Sequence, residues 1–395
     1  MAMASLSSLK AHVVRTYVAP HRTRLCAFFV RLATRGRARG TDREAFASAR
    51  EKILVVFERD VGLFSLVNQV CNTHVEAPEG TRMCVLFQEG CVYWNDAIMP
   101  RTASFWEAFF EPLGMPAAEL PADVFQVVRL VRFFYGKLLP ALLGISKFLC
   151  IMDCCVFFRV GGRDVAITCS FAPDVGCRSR DVAYRAYNDD PTPRVRRACA
   201  PFMSKELRPK PFIANLSATF WKRHTEGGKR KVVGVHIRGT DSLKDLRRPR
   251  WTMEQYFTAI DAAIADGRGG AKVYVATDDE AYIGQVVARY GSDRVFSYDA
   301  VRAGKAGSES SSEMYTETGA IMPEFLKTQN AASQNAVDVI VEYLNLCRCD
   351  FMVHGTSSVP AAVLLAHDGL AHANVTGPFV ALTAAAARRK LAAHA

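Results

Sequence analysis

No uninterrupted apolar run in the 395-residue chain reaches the roughly 18 to 20 residues that span a bilayer, so no transmembrane helix is expected. The richest apolar stretch, Phe125 to Val160, is interrupted by Arg129, Arg132, Lys137, Lys147 and Asp153 and reads as buried core elements. Paired C-x-x-C spacing is missing as well. Among twelve cysteines the closest groups are Cys150, Cys154 and Cys155, then Cys347 and Cys349. That argues against a zinc ribbon or a disulfide framework. Several cysteines stand in strand-like stretches such as MCVLFQ and MDCCVFF, and most are read as buried thiols of a soluble protein in a reducing compartment. Acidic residues are absent from Met1 to Thr41, which carries Arg15, Arg22, Arg24, Arg31, Arg35, Arg37 and Arg39. Such a segment fits an organelle presequence, a basic arm or a basic tail.

What remains is globular in composition, with 50% hydrophobic and 23% charged residues. The length exceeds what one hydrophobic core comfortably supports, so two domains are expected. The net charge of +11 points to anionic partners, but much of that excess sits in the N-terminal segment and the body is less basic.

Along the chain, KILVVF from Lys52 reads as a buried strand, Phe64 to Val75 as a helix, and MCVLFQ from Met83 as a second strand, the opening of an α/β unit. A helix over Arg197 to His224 is interrupted by Pro209 and Pro211. The basic stretch from His224 to Lys231 reads as a linker. The expected organisation is a basic N-terminal extension over 1–50, partly disordered, an α/β domain over 51–225 and a Rossmann-like domain over 226–395.

The C-terminal half alternates strands and helices more regularly. VVGVHI from Val232 has the continuous apolar character of a central parallel strand. Thr252 opens a helix with Gln255 at the capping-box position. KVYVA follows from Lys272, Asp279 starts a helix that Gly291 stops, and RVFSY is a third strand. A Gly/Ser/Glu-rich stretch from Gly304 is expected to be a mobile loop. A helix over Asn335 to Arg348 then leads to the strand DFMVH and a last helix through Val363 and Leu365.

Three polar clusters follow strands in this half: His236 to Asp241, Thr277 to Asp279, and His354 to Ser358. Ligands of open α/β sheets bind beyond the carboxyl ends of the strands, so these segments should converge on one crevice. Arg238 offers a planar guanidinium suited to a bidentate diphosphate contact, with Gly239 allowing a tight backbone turn beside it. Ser357 and Ser358 precede a helix whose first turn contains Pro360, a position where hydroxyls and amides bind phosphate or simply cap the helix. Asp278 and Asp279 are read as one crevice-lining residue and one helix cap, with a paired-carboxylate metal site as the alternative. Asp338 and Glu342 share a helix face.

Taken together, GVHIRGTD, VYVATDDEAYI, DVIVEYLNLCRCDF and VHGTSS resemble the three-motif donor domain of the fucosyltransferase superfamily that includes core α1,6-fucosyltransferases, nodulation fucosyltransferases and protein O-fucosyltransferases. The covered region, Val232 to Pro360, is about a third of the chain. The resemblance implies a GT-B architecture of two facing Rossmann-like domains, GDP-fucose as donor, inversion at the anomeric carbon and no metal or other cofactor. It places His236 at the guanine, Arg238 and Ser358 at the β-phosphate, Asp241 near the sugar, Asp278 and Asp279 in support, and Glu342 as a hydrogen-bond acceptor for guanine. Where core α1,6 enzymes carry a second Arg and a Lys, this chain has Gly239 and Ser242, which argues against that exact linkage. The glutamate placed near the acceptor in those enzymes falls at Leu246, and Asp245 beside it is a candidate general base.

The function expected is fucose transfer from GDP-fucose to a glycan or protein hydroxyl. The partners are a GDP-sugar and a glycan or glycoprotein, with neither nucleic acid nor a membrane span. Alternatives are a different nucleotide sugar, a catalytically silent glycan- or nucleotide-binding module, and nucleic-acid binding through the Arg-rich N-terminus.

Overall fold

The computed structural model describes residues 19–59, 61–88, 104–143, 155–170, 190–239, 251–265, 271–302 and 331–376. The chain divides into two compact units, one of Met1–Asp60 and Leu66–Arg185, the other of Val61–Ser65 and Ala186–Ala395.

The first unit contains five strands, β1 (Ala38–Gly40), β2 (Lys52–Phe57), β3 (Thr81–Leu86), β4 (Cys155–Val160) and β5 (Arg163–Thr168), in the order β1-β4-β5-β2-β3. Strands β5, β2 and β3 are parallel, whereas β4 pairs antiparallel with both β5 and β1. The sheet is therefore mixed rather than a second all-parallel Rossmann sheet. The sequence signal for the antiparallel hairpin is Gly161-Gly162, whose φ angles of 55° and 81° suit the two-residue turn that joins twisted strands. Five of the six residues of KILVVF are buried, as its unbroken apolar run requires of a strand covered on both faces.

The expected N-terminal extension needs correction from Ala19 onward. Ala19–Ala33 forms helix α1, followed by β1 and the short helix α2 (Arg43–Ser48), and Cys26, Val30, Ala38 and Phe46 are fully or almost fully buried. The arginines hid an amphipathic pattern: Arg22, Arg24 and Arg31 flank the apolar positions that reach the sheet, and Asp42 caps α2 by accepting the Ala45 N–H at 2.8 Å. Helix α3 (Leu63–Glu76) is the helix expected after β2. The apolar stretch around Phe125 yields α4 (Phe105–Phe109) before it, α5 (Ala122–Phe133) and α6 (Leu139–Leu143), the last two joined by a π-helical turn over Phe134–Leu138. No helix among the described residues is long and apolar enough to cross a membrane. None of the eight described cysteines is joined to another described cysteine, and six of them are buried.

The second unit begins with α7 (Pro193–Pro201) and α8 (Pro211–His224), the helix pair expected around the prolines, with Pro211 in the first turn of α8. Ser217 of α8 donates to Asn345 at 2.8 Å, so this helix packs within the second unit. The division between units accordingly falls at Arg185 and Ala186, ahead of the linker over His224 to Lys231. Strands β6 (Val232–Ile237), β7 (Lys272–Thr277), β8 (Val295–Phe296), β9 (Phe351–His354) and β10 (His372–Asn374) form a parallel sheet in the order β10-β9-β6-β7-β8. Helices α9 (Met253–Ala265), α10 (Glu280–Tyr290), α11 (Ala331–Leu346) and α12 (Ser358–Ala366) connect them. Gln255 closes the expected capping box on Thr252, accepting its N–H at 2.7 Å, and Gly291 ends α10 with φ of 86°. RVFSY shortens to a two-residue strand, and β10 was not expected. The Ser-rich stretch from Gly304 lies outside the described residues.

The strand order has a functional consequence. The chain moves from β6 outward through β7 and β8, then returns to the other side of β6 for β9 and β10. Neighbouring connections therefore diverge between β6 and β9, the switch point beyond whose strand carboxyl ends open α/β sheets bind their ligands.

Candidate functional site

His236 and His354 are register partners on β6 and β9, which places the HIRGTD and HGTSS segments side by side at the switch point. His236 is only 8% exposed, and its Nδ1 has no hydrogen-bond partner among the described residues. Burial, helped by the charge of Arg238 and by His354, pushes its imidazole down to about 3, so it is neutral near pH 7. Its own carbonyl accepts the Tyr256 hydroxyl at 3.2 Å.

Arg238 follows directly and is half-buried at the strand end. Gly239 donates its N–H to Asp278 Oδ1 at 2.8 Å, which ties the end of β6 to the end of β7. The reason for glycine at 239 differs from the one expected: its φ is not left-handed, and a Cβ there would run into the Tyr282 ring. Tyr282 and Tyr256 both pack edge-on against Trp251, with centroids 5.5 and 5.1 Å away, giving this end of the sheet an aromatic wall. Asp279 caps α10 by accepting the Ala281 N–H at 3.0 Å. Each aspartate of the pair thus holds a backbone amide.

Just after β9, Gly355 faces the Tyr256 hydroxyl, which an added Cβ would approach to 2.9 Å. Thr356 is pinned to Thr376, its N–H donating to Thr376 Oγ1 at 3.0 Å. Ser357 stands at the N-cap of α12 in an extended conformation, yet its side chain makes no cap bond, and its buried Oγ has no partner among the described residues. Ser358 is the first residue of α12, so Ser357 and Ser358 together bracket the positive end of the helix dipole.

Glu342 is engaged differently from expectation. Its Oε1 accepts from Arg302 Nη2 at 2.8 Å, and the Arg302 guanidinium also donates to the carbonyls of Thr277, Ala300 and Tyr298 at 3.0, 3.4 and 2.6 Å. Burial pushes the Glu342 carboxyl up to about 7 in spite of Arg302. Asp338 accepts the Val301 N–H at 2.9 Å and the Gln334 amide at 2.7 Å. Sequence reasoning passed over Arg302 because it borders the Ser-rich loop and resembles a surface residue; only the fold shows it to be buried. Asp241 and Asp245 lie outside the described residues.

His236, Arg238, Gly239, Asp278, Asp279, Ser357 and Ser358 therefore gather at the carboxyl edge of one sheet, and Glu342 approaches the same edge through Arg302 and the β7 carbonyl of Thr277.

No family model and no curated protein matches the chain. Solved structures do. The fucosyltransferase NodZ from Bradyrhizobium matches over 80% of this chain and 94% of its own, with 14% identity and a TM-score of 0.43. POFUT1 in complex with GDP-fucose matches over 86% of this chain and 100% of its own, with 11% identity and a TM-score of 0.38. A variant of Arabidopsis thaliana FUT1 in complex with GDP matches over 89% and 79%, with 10% identity and a TM-score of 0.38. The chain is similar to these structures over most of its length, at identities and superposition scores that leave its site to be read from its own atoms.

Proposed function

We propose that the chain is a glycosyltransferase that binds a nucleoside-diphosphate sugar at the β6/β9 switch point and transfers the sugar, most specifically fucose from GDP-fucose, to a hydroxyl of a glycan or protein. The observation that carries this reading is the pair of buried polar atoms, His236 Nδ1 near the end of β6 and Ser357 Oγ at the N-cap of α12, that have no partners among the described residues, close in sequence to Arg238 and the start of α12. Buried polar groups are rarely left unpaired, and those that are call for a ligand or a strain account. A diphosphate meets both kinds of group here: acceptor oxygens for the Ser357 hydroxyl and the first amides of α12, and negative charge for Arg238.

Breaking the donor bond develops charge on the departing diphosphate. Arg238, the serines and the α12 dipole supply preorganised stabilisation that grows as the bond breaks. Because these groups are cationic or hydrogen-donating, no divalent ion is needed at the diphosphate, and Asp278 and Asp279 are assigned to their backbone amides. Inversion requires a base for the acceptor hydroxyl, and Asp241 and Asp245 are assigned that role from the sequence resemblance. Guanine and fucose rest on the same resemblance, with His236 and Glu342 nearest the base.

Calorimetry with GDP, UDP and ADP, followed by transfer and hydrolysis assays on the matching sugar donors, tests the reading. Tight GDP binding with turnover of GDP-fucose is the expected result. Preference for UDP would move the donor to another sugar class, and GDP binding without turnover of any donor would reduce the chain to a binding module.

A further inference from the structure

Outside that crevice, three potential ligands converge on the opposite flank of β9. His354 ends β9, His372 begins β10, and Asp190 belongs to the segment that precedes α7. His354 Nε2 lies 3.1 Å from His372 Nδ1, while Asp190 places Oδ1 3.9 Å from the first nitrogen and Oδ2 3.7 Å from the second. We infer that Asp190, His354 and His372 form a zinc-binding site with an open fourth position, separate from the groups assigned to the nucleotide sugar.

The separations are those of a tetrahedral shell closed by a turn of one carboxylate. Bonds of about 2.0 to 2.1 Å to nitrogen and oxygen put neighbouring tetrahedral donors about 3.3 Å apart. The nitrogens are already that close, and one Asp190 oxygen, within 4.8 Å of both nitrogens, has to swing in toward them. The outer contacts also match what ligating side chains require. His354 Nδ1 lies 3.1 Å from the Gly355 carbonyl, which can only accept, so the ring carries its proton there and turns the Nε2 lone pair toward His372. Asn374 donates to Asp190 Oδ1 at 2.9 Å and holds the carboxylate in place.

His354 is buried, with its side chain 1% exposed. The Arg196 guanidinium donates to the carbonyls of Leu364, His367 and Leu370 at 3.1, 2.6 and 3.1 Å, which fix its position beside the site. His372 and Asp190 are partly exposed, with 22% and 29% of their side-chain surface open, which provides an entry path. Zinc here would join three distant chain segments at the edge of the sheet and stiffen β9 immediately before the Gly355 to Ser357 turn.

The test uses the full chain, stripped of metal, titrated separately with zinc and with cobalt. We expect one tightly bound ion per chain, a rise in Tm on adding zinc, and the visible absorption of tetrahedral cobalt without a thiolate charge-transfer band. His372→Ala should abolish the cobalt spectrum, and Asn374→Ala should weaken zinc binding by about 10- to 100-fold through the loss of carboxylate orientation. Should His372→Ala fail to fold, Asp190→Asn tests the same loss, and the wild-type spectrum alone remains decisive. Absence of stoichiometric binding, or a thiolate band that survives these substitutions, overturns the assignment.

Discussion

Arg302 and Glu342 form an ion pair at 2.8 Å with side-chain exposures of 2% and 11%, and the same guanidinium closes on the carbonyl of Thr277 at the end of β7. A residue selected from sequence as a base reader is thus also one end of a buried strut. Above about pH 7, where the carboxyl is ionised, Glu342→Gln should destabilise the fold by about 3 kcal/mol, because Arg302 keeps its charge and loses its compensating carboxylate. If Glu342 also accepts from guanine, calorimetry will show GDP affinity falling more in Glu342→Gln than in Asp338→Asn, with the preference for GDP over ADP narrowed. Equal GDP affinity in both folded variants would leave Glu342 as a strut alone.

Ser357→Ala separates binding from folding. In the free protein the substitution removes a buried hydroxyl that has no partner among the described residues, so stability should be unchanged or slightly higher. GDP affinity should fall roughly tenfold, the worth of one charge-assisted hydrogen bond of about 1.5 kcal/mol. A loss of stability without a loss of affinity would mark Ser357 as structural.

Arg238→Lys should fold normally and lose most turnover, since a point charge cannot reproduce a planar bidentate contact with the diphosphate. Circular dichroism confirms the fold and a donor-hydrolysis assay reads the loss. A near-wild-type rate would remove Arg238 from the mechanism.

Gly239→Ala places a methyl group against the Tyr282 ring. Denaturant unfolding should show a cost of about 1 to 3 kcal/mol, largely recovered in the double variant Gly239→Ala/Tyr282→Ala. Additive losses would show that glycine is required there for a reason other than the tyrosine.

The pH dependence follows from His236. Its folded-state titration near 3 lies below the ordinary 6.5, so between these values the unfolded chain binds a proton that the folded chain refuses. The contribution is complete above about pH 6.5 and is lost progressively as pH falls toward 3, reaching on the order of 3 kcal/mol near pH 4. A His236→Gln variant should unfold with a shallower acid slope, measured as Tm against pH. Parallel slopes for the two proteins would contradict the burial argument.

Much of the second unit was legible from local pattern. VVGVHI could only be a strand buried on both faces, Thr252 and Gln255 carry a capping box, and Asp279 and Gly291 mark the ends of α10; each follows from short-range sterics and hydrogen bonding that need no distant partner. The convergence of Arg238, Asp278 and Ser357 was legible for a related reason: in a parallel sheet the carboxyl ends of all strands point the same way. In the first unit, α1 was missed because its buried face is narrow and its outer face is crowded with arginine, so composition outweighed periodicity.

Sequence by itself determined the strand core of the second unit, its helix caps and the set of polar residues at the strand ends, because these depend on neighbours within a few positions. Tertiary structure alone decided that Tyr282 fills the space beside Gly239, that Arg302 holds Glu342, that the Ser357 hydroxyl is buried without a cap bond, and that Asp190 meets His354 and His372. Those relationships join residues from 18 to more than 180 positions apart. Their partners are chosen by how strands and helices pack, and no local period in the chain encodes that choice.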